Sequence, residues 1–136
     1  TFPILEKTGM VKHLFSTRKG GVSEGYLSSM NLSFKCGDKE ENVLENYRRI
    51  GEVLGCSIED MVLSRQTHTT NIRLVTEKDR GKGLVRPRDY EDVDGLITAE
   101  PGVVLVTHYA GTLGLAGNSS RDGGENDRSH GRSLWQ

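Results

Sequence analysis

The chain has 136 residues, 34% of them hydrophobic, and its 18 Lys plus Arg against 19 Asp plus Glu leave a net charge of −1. That length is one domain's worth, with room for a core, and the balanced charge gives no reason to expect binding to nucleic acid or an anionic membrane. No apolar run is long enough to span a bilayer, and no signal-peptide pattern opens the chain. The start on Thr1 rather than Met reads as a trimmed end. Cys36 and Cys56 lack CxxC spacing. They read as reduced thiols of a cytoplasmic protein, with a disulfide left open.

Residues 2–5, Phe-Pro-Ile-Leu, predict an edge strand or a lead-in, with Pro3 near its start. Residues 11–17 alternate roughly and predict a strand running into a glycine-punctuated loop at 18–25. Gly20 and Gly21 allow positive φ and close approach of a ligand. Arg18 and Lys19 beside them suit an anion, although a plain turn with solvated charges explains the same residues. Residues 33–36 predict a short strand. The clearest helix then begins at Asp38 or at Glu41-Asn42. Val43, Leu44, Tyr47, Ile50, Val53 and Leu54 fall at helical spacing, Glu45 and Arg49 form an i,i+4 pair, and Gly55 is the natural C-cap.

Residues 61–75 are the organising stretch. Met61-Val62-Leu63 is one apolar run, and Ile72 with Leu74-Val75 is a second, both predicted as buried strand pieces. Seven polar residues without Gly or Pro separate them, which suits a site held by rigid flanks. His68 is its chemical centre, since a neutral imidazole binds metal or moves a proton near neutral pH. On the pattern alone, a surface histidine in a strand is the plainer reading. Residues 77–91 predict an exposed, mobile loop, 92–98 an acidic turn feeding a strand, and 103–107 a central buried strand. Residues 111–136 hold six glycines and no hydrophobic period, and 118–127 have a disorder-like composition.

Several stretches carry a resemblance. They are residues 13–23 (His-Leu-Phe-Ser-Thr-Arg-Lys-Gly-Gly-Val-Ser), Asn31-Leu32, Gly37-Asp38 with Asn42-Val43 and Asn46, Gln66-Thr67-His68, residues 92–98, and Pro101-Gly102-Val103. In this order over about residues 13–110 they resemble the YfiH/laccase-domain family, also called the polyphenol oxidase or purine nucleoside phosphorylase family. The resemblance implies an α+β fold of mixed β-sheets covered by helices, incomplete here at the C-terminus. Residues 1–110 are its N-terminal part, and 111–136 are a non-family tail, disordered or frameshifted. Read one base later with chosen synonymous codons, residues 110–117 become Leu-Ala-His-Ser-Gly-Trp-Arg-Gly.

The resemblance further implies a zinc held by a His after Gln-x-His, a Cys in Ala-Asp-Cys and a His in His-x-Gly-Trp. Three protein ligands and an open position suit catalysis. Only His68 carries over, as metal ligand and catalytic residue. Gly111-Thr112 stands where Ala-Asp-Cys belongs, with His108 a candidate substitute and His130 lying in the tail. The implied reaction is phosphorolysis of purine nucleosides (adenosine, inosine, methylthioadenosine) with adenosine deamination alongside. The implied partners are thus a nucleoside and phosphate. Arg18, Gly20 and Gly21 are placed as binding phosphate or nucleoside, and Asn31 as orienting substrate. Copper-dependent phenol oxidation, from older family names, ranks last, and a non-catalytic fragment is the competing class. With one ligand placed, this chain by itself is expected to be inactive. The 103–107 strand is expected to lack neighbours, favouring self-association.

Overall fold

A computed structural model describes residues 2–108 in full and residues 132–135 by their backbone. In chain order the elements are helix α1 (Pro3–Glu6), strand β1 (Leu14–Ser16), helix α2 (Glu40–Leu54), and strands β2 (Met61–Leu63), β3 (Ile72–Leu74), β4 (Gly95–Ile97), β5 (Val104–Thr107) and β6 (Arg132–Trp135). A four-stranded sheet runs β1-β6-β5-β2, and β3 and β4 form a two-stranded sheet. β2 and β5 pair in parallel, whereas β6 is antiparallel to both β1 and β5, so the larger sheet is mixed. The fold is α+β, with its sheet covered by α2.

The apolar runs dictate this arrangement. Met61 lies opposite Val104 and Leu63 opposite Val106, and all four pack with Val43, Tyr47, Ile50 and Leu54 of α2. Val62, opposite Leu105, turns to the other face and packs with Val75, Tyr90, Val93 and Val103. Covering both faces is why β2 and β5 are apolar without alternation. The expectation that the 103–107 strand lacks neighbours is overturned, because β5 sits between β2 and β6. The self-association argued from that open edge loses this support.

Helix α2 follows the predicted pattern except in its phase. Gly55 caps it in the left-handed region at φ 74°, and Arg49 Nε donates to Glu45 at 3.1 Å. Val53, however, is 79% exposed, while Asn46 is fully buried. The helix is rotated to bring a polar side chain inward, for a reason given below.

Four further expectations are corrected. Residues 3–6 form a helical turn rather than an edge strand, since Pro3 fixes a helical φ at the first position and, among the described residues, no strand pairs with it. Residues 33–36 are turns, because Asn31 Oδ1 accepts from Ser33 N–H and Ser33 Oγ from Lys35 N–H. Side-chain acceptors there replace a strand partner. The second apolar run is not buried: Ile72 and Leu74 are 71% and 65% exposed, and only Val75 enters the core. Finally, the 77–91 segment is tied down. Asp79 is buried, Lys82 Nζ donates to it at 2.7 Å and to Asp89 at 2.8 Å, and the Tyr90 hydroxyl donates to Leu63 O at 2.6 Å.

Cys36 and Cys56 are both free. No helix among the described residues is long and apolar enough to cross a membrane. The shifted reading of 110–117, the disorder-like stretch and His130 lie outside the described residues. The tail expected to be disordered does include the strand at 132–135.

Candidate functional site

The site begins with the polar stretch between β2 and β3. Arg65 N–H still donates to the Val93 carbonyl at 3.0 Å, but the N–H groups of Thr67, His68 and Thr69 have no backbone partner among the described residues and need acceptors. Asp94 supplies them. Its carboxylate accepts from the N–H groups of Thr67 (3.2 Å), His68 (2.8 Å) and Thr69 (3.0 Å), and from the Thr69 hydroxyl (2.8 Å). The lock is reciprocal, since the Asn71 carbonyl accepts from the N–H groups of Asp94 (2.9 Å) and Gly95 (3.1 Å). Asp92 adds contacts with the Thr67 hydroxyl and the Asn71 amide. His68 is held at φ 66°, a left-handed conformation that costs a non-glycine residue about 1–2 kcal/mol. The Asp94 bonds offset that cost, leaving the imidazole exposed on a fixed loop. Desolvation opposes ionisation of Asp94, but these hydrogen bonds outweigh it and hold the carboxyl at about 2.

A cavity of about 370 Å³ opens beside this loop, walled by residues 32–35, residues 63–66, Gly83, Arg88 and His108. Gln66, two residues before His68, reaches across to give its amide to Thr107 Oγ1 at 2.9 Å. The Tyr47 hydroxyl lies 2.9 Å from Leu32 O and 2.6 Å from His108 Nε2, tying that ring to helix α2.

The other predicted residues form a separate cluster. Asn46 receives the Val22 N–H on Oδ1 (2.8 Å) and donates from Nδ2 to Ser23 Oγ (2.9 Å), Ser29 O (3.3 Å) and Asn31 O (2.8 Å). Asn31 spends its own amide on Ser33 O (3.1 Å) and Asp38 (3.0 Å). Ser23, Asn31, Asn42 and the Lys39 N–H all donate to Asp38, Ser23 most strongly, and hold its carboxyl at about 2. Arg18 donates to Ser28 O (2.8 Å) and Tyr26 O (3.0 Å), Gly20 O accepts from Arg49 (2.9 Å), and Gly21 N–H donates to Ser29 Oγ (3.1 Å). None of Arg18, Gly20, Gly21, Asn31 or His68 lines the cavity.

The same segments match a known family. A family model described as multi-copper polyphenol oxidoreductase laccase matches residues 12–115. The chain belongs to this laccase family. Among its relatives, purine nucleoside phosphorylase YlmD of Geobacillus stearothermophilus is 34% identical over 137 residues, covering 89% of this chain and 49% of its own. Adenosine deaminase RL5, from an unknown prokaryotic organism, is 30% identical, covering 78% of this chain and 43% of its own. The crystal structure of Bacillus licheniformis hypothetical protein YfiH superposes with a TM-score of 0.71 at 32% identity, over 77% of this chain and 40% of that one. The chain thus spans less than half the length of each of these laccase-family relatives.

The zinc implied by the laccase-family resemblance needs three protein ligands. Among the described residues no group of three His, Cys, Asp or Glu is placed to hold a metal ion. His68 offers one imidazole, while Asp92 and Asp94 beside it are turned to the loop's own donors. Nε2 of His108 is engaged by the Tyr47 hydroxyl at 2.6 Å. The described residues do not by themselves fit a zinc. The sequence did show the Asp-Val-Asp-Gly motif without its purpose. Seven polar residues lacking a turn glycine are a sign that some distant acceptor must take their N–H groups.

Asp38 and Asp94, together with Asp79, give an acid-stability prediction. Desolvation works against ionised Asp79 too, and Lys82, Thr76 and Arg73 outweigh it to hold its carboxyl at about 2. All three folded values lie below the unfolded value of about 3.9. Their contribution is complete above that value and is lost as pH falls through the folded one. Chemical denaturation midpoints should be flat down to about pH 4 and fall between about pH 4 and 2. Replacing Asp94 by Asn should flatten part of that fall.

Proposed function

We propose that this chain is part of a purine nucleoside phosphorylase acting on adenosine, inosine or methylthioadenosine, with adenosine deamination as its second reaction. The observation that carries this reading is the Gln66-Thr67-His68 loop, locked on Asp94 beside an open cavity. The names of the relatives supply the reaction. In phosphorolysis a phosphate oxygen bonds to C1′ of the sugar while the bond to the purine nitrogen breaks and the base leaves with a proton. The fixed loop would present His68 as one ligand of a metal, zinc with copper as the alternative, whose other ligands lie beyond the described residues. The Arg18, Gly20, Gly21 and Asn31 cluster serves this reading by shaping the wall that begins at Leu32.

The test is hypoxanthine release from inosine with and without phosphate. A full-length protein carrying this segment in place of its own should release base only with phosphate, forming ribose 1-phosphate in equal amount. The 136-residue chain alone should release none. Release that ignores phosphate, or copper-dependent phenol oxidation in its place, would overturn the reading.

A further inference from the structure

We propose that the cavity beside the His68 loop is an oxyanion pocket that takes inorganic phosphate on Arg88 and Lys35. The inference rests on the phosphorylase reading for its choice of ligand. Its physical basis is charge. The chain as a whole is nearly neutral, yet among the described residues no Asp or Glu lines the cavity, while Lys35, Arg65 and Arg88 all do. Arg65 is already matched by Glu91 at 2.9 Å. Arg88 is half-buried, and its one hydrogen bond among the described residues runs from Nη1 to the Ser64 carbonyl at 2.9 Å. Neither Arg88 nor Lys35 has a carboxylate within ion-pair distance among the described residues. A partly desolvated guanidinium without a counter-charge is costly to hold, and a bound anion relieves that cost.

The backbone is shaped around this side chain. Gly83, at φ +87°, faces Arg88 so closely that an added Cβ would lie 3.1 Å from both Cδ and Nη1. The Ser64 carbonyl then fixes one arm of the guanidinium and leaves the others for a ligand. A planar fork with several donors suits tetrahedral oxyanions, and a flexible ammonium at the rim, Lys35, adds a point charge. Arg18, the alternative anion contact, spends Nε and Nη2 on two backbone carbonyls.

The experiment is titration of the full 136-residue chain with inorganic phosphate at constant ionic strength, read by calorimetry and by ³¹P line width. Arg88→Gln and Lys35→Gln should each weaken phosphate binding about tenfold, with Arg88→Lys retaining part of it and Lys7→Gln, an exposed cation outside the cavity wall, leaving it unchanged. Lys35 is exposed, so its variant carries the test even where Arg88→Gln fails to fold. The proposal is overturned by phosphate that does not bind the unaltered chain, by affinity that survives both substitutions, or by loss on Lys7→Gln instead. Binding of a nucleoside monophosphate without binding of free phosphate overturns it as well. In the full-length phosphorolysis assay, Arg88→Gln should raise KM for phosphate about tenfold with less change in kcat. An unchanged KM in an active protein would reject this pocket and leave the phosphorylase reading standing. Absence of phosphorolysis with phosphate still bound through Arg88 would do the reverse.

Discussion

Gly21→Ala should unfold the protein or cost it about 4 kcal/mol or more, the range reserved for disruption of a buried network. An added Cβ at position 21 would sit 2.0 Å from the Ser29 carbonyl oxygen, 2.5 Å from its carbon and 2.6 Å from Asn46 Oδ1. Two of those three are backbone atoms, so no side-chain rotation relieves the clash. The Ser29 carbonyl also accepts from Ser23 N–H at 3.0 Å and from the Asn46 amide at 3.3 Å. Pushing it away breaks the network that buries Asn46. Gly9→Ala is the matched control, because Gly9 has φ +64° and nothing within 4 Å of an added Cβ. It should cost only the left-handed penalty of about 1–2 kcal/mol. Denaturation midpoints decide the matter, and equal losses at the two positions would refute the packing argument.

His68→Ala and Asp94→Ala should both damage catalysis in a full-length protein carrying this segment, by separable routes. The first removes the imidazole, and metal content and base release should vanish together while the melting temperature holds. The second leaves the imidazole but strips four hydrogen bonds from the loop that carries it. Activity should then fall about 10–100-fold, as when an outer-shell partner of a metal ligand is lost. The melting temperature should fall too, because the left-handed His68 backbone is left without its anchor. Full turnover in a metal-free His68→Ala protein would end the ligand role. An Asp94→Ala protein with unchanged activity would show that the loop holds its shape without the carboxylate.

The elements legible in the sequence are those whose signal is local. Helix α2 announced itself through Val43, Tyr47, Ile50 and Leu54 at one spacing and through Gly55 at its end. Strands β2 and β5 did so through unbroken apolar runs, which a strand covered on both faces requires. What escaped depends on partners far along the chain. Nothing near Asn46 reveals that it must point inward, since its partners are Val22, Ser23, Ser29 and Asn31. Asp94 reads as a turn residue until the backbone of residues 67–69 is seen lying on its carboxylate. Ile72 and Leu74 looked buried because apolar strand residues usually are, and only the pairing of β3 with β4 alone reveals their exposed face. The exposed loop carrying His68 was legible as a polar break between apolar runs, but the cations of the neighbouring cavity were not. Lys35, Arg65 and Arg88 are scattered in sequence and meet only through the fold.

The parallel pairing of β2 with β5 also governs the order in which the protein can assemble. Helix α2 closes through contacts between near neighbours and can form early. The central pair must instead bring Met61 to Val104, and the outer strand must bring Leu14 to Leu134. Each such closure loses chain entropy before its contacts repay it, and folds dominated by distant pairings form slowly. During synthesis, Leu14 therefore waits with its strand partner unmade until residue 134 has emerged. Through that interval, among the described residues, α2 is the long element that shields the apolar face of β2.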